Sequence, residues 1–298
     1  MQGITSSDAY ILHRPGQQTC PVVFSSPHSG RIYPPDFLHV SALDSHAIRS
    51  SEDAFIDQLF GAAPALGAPL LAARAPRAFV DLNRGPDELD PAVIEGVERP
   101  AHNPRISSGL GVIPRVVAGG RHIYRRKMAR PEAEARLQSF WHPWHDALRG
   151  LIEETRETFG RAVLFDCHSM PHEAADLQSR GGQPGPQIVL GDRFGASAGR
   201  DVVDQIAGAF EAAGLRVSRN MPFAGAYITQ AYGRPSRNVH AVQIEIDRQL
   251  YMDEARIEPH GGFEGFRQLI TGVIAEVTGA DVLAAGLMTS SRPPLAAE

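Results

Sequence analysis

Five short apolar runs set the limits on what this chain can fold into: PVVFSS (21–26), AFVDL (78–82), AVLFD (162–166), QIVLG (187–191) and AVQIEI (241–246). Most are near-continuous rather than alternating, the pattern of strands covered on both faces. Between them lie longer stretches with three- and four-residue periodicity, which predicts helices. In DAFIDQLFGAA, residues Phe55, Ile56, Leu59, Phe60 and Ala63 share one face. From Pro131 to Phe159 a longer stripe runs through Leu137, Trp141, Trp144, Leu148 and Leu151, with Gly160 as its stop and Pro143 as an expected kink. GRDVVDQIAGAFEAAG and GFRQLITGVIAEVTG read as two more helices. Strands alternating with helices predict an α/β sheet with helices packed on it. No internal repeat and no clean linker divides the 298 residues. One catalytic domain over 1–287 is therefore expected, with 288–298 as a flexible tail.

Ligands of open α/β sheets sit outside the carboxyl ends of the strands. After the predicted strands come PHSG (27–30), DLNRGP (81–86), DCHS (166–169) and EID (245–247), so two imidazoles, an Asn-Arg pair and carboxylates converge on one edge. Two imidazoles and one carboxylate from separate elements, with a fourth position open, make a catalytic zinc site. His28 and His168 are the natural imidazole ligands, and Asp53 or Glu52 of SSEDAF supplies the acid. Asp53 has a competing role, because its spacing from Ser50 is that of a capping box. Zinc-assisted hydrolysis also needs a carboxylate to move a proton, and Glu245 is placed for it; a salt bridge to Arg248 is the plainer reading. Asn83 and Arg84 form a fork suited to a substrate carboxylate, unless Arg84 pairs with Asp81 or Asp87. Asp166 is positioned to orient a ligand from behind. Cys167 beside His168 reads as a packed neighbour, with a metal-free Cys-His hydrolase as the competing chemistry.

Residues 99–130 carry eight Arg or Lys residues and no Asp or Glu, interrupted by glycines at 109, 111, 119 and 120. This is a long loop, either a solvated surface segment or a cationic flap over an acidic substrate. The rest of the composition narrows the function by exclusion. A net charge of −5 argues against nucleic acid as partner. No apolar run approaches the ~18 residues of a membrane span, and MQGITSSDAY lacks the features of a signal peptide. Two cysteines build no disulfide framework, which fits a reducing cytoplasm. A monomer or a homodimer is equally compatible with the sequence.

SPHSG, SEDAFIDQLF, RAFVDLNR, FDCHSMP and NVHAVQIEIDRQLYMDE occur in that order. Together they resemble the N-formylglutamate amidohydrolases, relatives of the carboxypeptidase-like and aspartoacylase-like zinc hydrolases, over about residues 20 to 275. The resemblance implies a three-layer α/β/α fold of the phosphorylase/hydrolase and zinc-peptidase type, with a mixed, largely parallel central sheet. It implies one Zn2+ per chain and hydrolysis of N-formyl-L-glutamate to formate and L-glutamate, the last step of one histidine-degradation route. Under it His28, Asp53 and His168 become the metal ligands, Glu245 the general base, and Asn83 and Arg84 the carboxylate clamp. His145 and His240 also fall on matching positions, and Arg115 of the basic segment and Tyr227 are further substrate-binding candidates. Where relatives that degrade histidine carry Gly-Gly-His, this chain has GAYITQAYG (225–233). That departure leaves open a related zinc hydrolase of another N-acyl amino acid or a peptide C-terminus. A non-catalytic binding protein on the same fold is the remaining alternative.

Overall fold

The two longest apolar runs lie side by side at the centre of one eight-stranded sheet in a computed structural model, which describes residues 3–98, 103–179 and 184–281. Its strands are β1 (Gly3–Ser6), β2 (Tyr10–Arg14), β3 (Val22–Ser26), β4 (Leu70–Ala73), β5 (Ala162–Met170), β6 (Ile188–Gly191), β7 (Val217–Arg219) and β8 (Val239–Asp247), in the order β1-β2-β4-β3-β5-β8-β6-β7. The inner four, β4, β3, β5 and β8, are parallel to one another. Antiparallel partners flank them, β2 against β4 and β6 against β8. The sheet is mixed with a parallel centre, and every residue of β3, β5 and β8 is buried.

Burial on both faces follows from two separate cores. Val22, Phe24, Val163, Phe165, Cys167, Val242 and Ile244 face one side, against the helices Arg200–Ala212 and Phe263–Thr278. Val23, Ala162, Leu164, Val239 and Ala241 face the other, against the helix His142–Phe159 and residues of 78–128. The result is a three-layer α/β/α domain. The periodic stretch before Gly160 is helical as expected, from Arg130 to Phe159, but a π-helical turn at Leu137–Trp141 lies just before Pro143. The wider turn absorbs the hydrogen bond that proline cannot make.

Two predicted elements differ. AFVDL is not a strand: Phe79 and Val80 turn back onto the Pro76 carbonyl, and the neighbour of β3 is the alanine-rich LLAA of β4. DAFIDQLFGAA breaks into a single turn of helix, Ile56–Leu59, and a 3-10 turn, Ala63–Leu66, with Phe55 at φ +66°. Gly61 and Pro64 explain the interruption. The basic segment packs as part of the body from residue 103 onward, with Ile106, Val112, Ile113, Val117, Ile123 and Met128 buried. Arg99 and the tail 288–298 lie outside the described residues.

Candidate metal centre and substrate cavity

Alternation along the central strands builds the site. On the helix His142–Phe159 side, β5 presents Ala162 and Leu164 to the core, and β8 presents Val239 and Ala241. Two residues further on, the same face turns polar: Asp166 and His168 on β5 lie beside Gln243 and Glu245 on β8, in register. Neighbours in register on one face touch. His28 joins them from the turn after β3. That turn passes close to the chain leaving β4, since a Cβ on Gly30 would lie 2.0 Å from the Ala75 carbonyl oxygen. The segment Ser50–Phe55 is tied alongside by the bond from the Asp53 N–H to the His28 carbonyl, 3.0 Å.

Three ligand atoms meet there. Asp53 Oδ2 lies 3.2 Å from His28 Nδ1 and 2.9 Å from His168 Nδ1, and the two Nδ1 atoms are 3.1 Å apart. Tetrahedral zinc with bonds of about 2.0–2.1 Å spaces its ligands about 3.3 Å apart, so the triangle needs little movement to hold one. The far side of each ring is pinned by a carboxylate: His28 Nε2 donates to Asp81 at 2.7 Å and His168 Nε2 to Asp166 at 2.8 Å. That fixes both Nδ1 atoms as acceptors aimed at a common point, the arrangement of metal-ligating histidines. The donor set and its backing fit a zinc ion. His28, Asp53 and His168 are all buried.

Charge in this cluster is unusually dense. Burial alone would raise the Asp53 carboxyl, but the His168 and His28 imidazoles beside it outweigh that and hold it well below the usual range. Asp81 behaves the same way, with Arg77 as the largest opposing influence. For His168 burial works downward, yet Asp166, Asp53 and Glu245 raise its pKa well above the usual value. Without a divalent cation, a proton on His168 is what these carboxylates hold. Glu245 is different, because burial pushes its pKa up to about 7. Its Oε1 accepts a 2.7 Å bond from Gln243 Nε2.

Glu52 is not the acidic ligand. Its carboxylate points away, paired with Arg49 at 3.0 Å and accepting from Tyr33 Oη at 2.7 Å. Nor does Asp53 cap a helix; its second oxygen takes Arg248 at 3.1 Å, so Arg248 partners Asp53 rather than Glu245. Asn83 sits within the cluster, its Oδ1 accepting from Ile228 N–H at 2.8 Å. Cys167 faces the opposite side of β5, fully buried with its thiol pKa pushed far up by burial, which removes it as a nucleophile.

The triad and Glu245 open into a cavity of about 640 Å³ that Arg77, Arg84, Arg105 and Arg248 also line. The other expected substrate residues lie elsewhere. Arg115 turns away to pair with Asp90 at 3.0 Å and bond the Ser107 carbonyl. His240 sits at the opposite end of β8 and on its other face, five residues before Glu245, accepting from the Gly199 N–H. His145 is buried between the Leu82 carbonyl and Tyr232 Oη, with its pKa lowered to about 3 by burial. Together with Tyr227 it lines a separate cleft. Arg105 lines the cavity from the basic segment expected as a cationic flap, whereas Asp81, Arg77 and Gln243 were not expected at the site. Of these three Gln243 carried a signal, its two-residue spacing from Glu245 on a strand.

Residues 20–252 match the family model of N-formylglutamate amidohydrolase. The chain is 31% identical over 242 residues to an N-formylglutamate deformylase of Pseudomonas putida, covering 80% of this chain and 84% of the relative. A deformylase of the same name from Pseudomonas aeruginosa is 32% identical over 238 residues, covering 78% and 83%. The crystal structure of N-formylglutamate amidohydrolase from Ralstonia eutropha JMP134 superposes with a TM-score of 0.85 at 33% identity, covering 92% of this chain and 98% of that one. This chain belongs to the N-formylglutamate amidohydrolase family.

Proposed function

We propose that this protein is a zinc-dependent amidohydrolase that cleaves the formyl amide of N-formyl-L-glutamate, giving formate and L-glutamate. The observation that carries the reading is the triangle of His28, Asp53 and His168, whose three ligand atoms lie 2.9 to 3.2 Å apart, below a cavity lined by four arginines. The relatives named as N-formylglutamate deformylases support the same substrate. A place at the end of a histidine-degradation route, in the cytoplasm, is part of the proposal.

Bound by these residues, zinc supplies Lewis-acid polarisation of the carbonyl and makes water more acidic. The protein supplies the proton traffic. Glu245 takes a proton from the attacking water, then delivers it to the amide nitrogen as the C–N bond breaks, so the glutamate amine leaves neutral. A carboxylate poised near pH 7 suits both halves of that transfer, and burial places Glu245 there. Gln243 holds one carboxylate oxygen, leaving the other to face the reaction. Arg77 is held by Asp81 at 3.0 Å and interacts with Asp53 and Glu245 as well; we assign it to the negative charge that grows on the formyl oxygen. Arg84 takes a substrate carboxylate.

The test is metal content measured beside formate release. One zinc per chain, with release from N-formyl-L-glutamate that stops on chelation and returns with zinc, is the expected result. Metal-free protein with undiminished turnover rejects the proposal. A cavity of about 640 Å³ is roomier than a formylated amino acid requires, which favours a broader N-acyl amino acid hydrolase as the second reading. A panel of formyl, acetyl and larger acyl-glutamates separates the two.

A further inference from the structure

Among the described residues four guanidinium groups line the cavity, and they are not equivalent. Arg77 is neutralised by Asp81 at 3.0 Å, and Arg248 by Asp53 at 3.1 Å and Glu254 at 3.7 Å. Arg84 is only 7% exposed, and among the described residues its hydrogen bonds go to backbone carbonyls, Nε to Leu110 at 2.8 Å and Nη1 to Asn83 at 2.8 Å. A buried cation held by neutral carbonyls is costly unless an anion completes it. The Asp81 carboxylate favours the Arg84 charge while Arg77 and Arg105 oppose it, and Arg105 forms a long ion pair with Glu88 at 3.8 Å, beyond hydrogen-bond reach. Two like charges thus share one wall of the cavity, and the carboxylates near them are committed elsewhere, Asp81 to Arg77 at 3.0 Å and His28 at 2.7 Å and Glu88 to the Gly85 N–H at 2.9 Å. Burial on one side and repulsion between the two both call for an anion there.

Their depth differs. Arg84 follows Asn83, which lies within the metal cluster, 3.2 Å from His168 Nε2. Arg105 comes from the outer basic segment, with a 35% exposed side chain, and is fixed in place by Asn103, whose Oδ1 accepts from the Arg105 N–H at 2.9 Å. In an N-formyl dicarboxylic amino acid the α-carboxylate is close to the scissile amide and the side-chain carboxylate further out. We propose that Arg105 is the specificity-determining residue that reads the side-chain carboxylate of the substrate, while Arg84 takes the α-carboxylate. This rests on the deformylase reading above and goes beyond it by assigning acidic side-chain preference to one residue.

The experiment compares N-formyl-L-glutamate with N-formyl-L-glutamine, which lacks only the distal charge, in zinc-loaded wild type and Arg105→Met. A charge-assisted hydrogen bond is lost with the variant, so the ratio of kcat/KM for the acid over the amide should fall about 10- to 100-fold, mainly through KM. An unchanged ratio, or equal losses on both substrates, overturns the proposal. Arg105→Lys should recover part of the ratio. Calorimetric titration of glutarate into metal-free protein gives a second readout independent of turnover: Arg105→Met should weaken glutarate about tenfold or more, and unaltered binding counts against the assignment. If wild type releases formate from neither substrate, the deformylase reading fails, while the glutarate titration still decides the role of Arg105.

Discussion

At the scale of single residues, the site depends on where protons sit. Glu245 has a folded pKa raised from 4.5 to about 7 by burial, so its protonated form is the one folding favours. The stability tied to it is fully present below about pH 4.5 and lost as pH rises through 7, a change of roughly 3 kcal/mol at most. Glu245→Gln removes that titration. In metal-free protein the variant should therefore melt a few degrees above wild type at pH 8 and show little difference at pH 4.5, as scanning calorimetry would reveal. The same variant should keep its zinc and lose turnover by 100-fold or more, because the proton acceptor is gone; activity near wild type would place the base elsewhere. Arg84→Ala should raise KM for N-formyl-L-glutamate at least tenfold with a smaller change in kcat, and an unmoved KM would take it out of the binding wall. The imidazole ligands make a separate case. Asp81→Asn or Asp166→Asn leaves the His28 or His168 ring in place but weakens the acceptor that fixes its tautomer. Zinc affinity should drop about 10- to 100-fold for each, measured by competition with a chelating dye.

Between residues and the whole molecule stand the strands, and here the sequence was most legible. The positions at which apolar runs gave way to His, Asp and Glu marked the carboxyl ends of β3, β5 and β8, because a buried strand has no other reason to end in such groups. What the runs did not show was that Asp166, His168, Gln243 and Glu245 lie inside the nine-residue strands β5 and β8 rather than after them. Ladder bonds continue past the change from apolar to polar side chains, since backbone pairing ignores what the side chains carry. Alternation also settles Cys167: one step from His168 along β5, it points into the opposite core. Cys167→Ala should retain turnover within about threefold and cost about 1–2 kcal/mol in stability, read from chemical denaturation, whereas abolished turnover in a folded variant would reopen thiol chemistry. His240 shows where sequence position misleads. It is near Glu245 in number, but a strand rises ~3.3 Å per residue, so five residues carry it about 16 Å from the chemistry. AFVDL misled differently, since β-forming side chains there fill a turn-rich segment that packs on the sheet without joining it.

Across the whole molecule, the three groups that could hold a metal come from distant stretches of chain, around residues 28, 53 and 168. No arrangement of the unfolded chain brings those together, so a cation that binds them binds the native state and stabilises it by mass action, about 4 kcal/mol at a thousandfold excess over Kd. The proton on His168 competes for that place. Its pKa is raised in the fold, so in the metal-free protein its contribution to stability is full below about pH 6.5 and is lost as pH climbs through the raised value. Asp53 and Asp81, held low, contribute in the opposite sense, losing their share only as pH falls below about 3.8. Raising the pH therefore withdraws the proton that substitutes for a metal while leaving the carboxylates charged. The stabilisation conferred by zinc should accordingly grow with pH. Melting curves with and without saturating zinc, taken at pH 5.5 and pH 8, should show the larger increment at pH 8. A zinc increment that is the same at both values, or larger in acid, would mean that the ion is not displacing a proton from His168, and the three-residue centre would lose its claim to the metal.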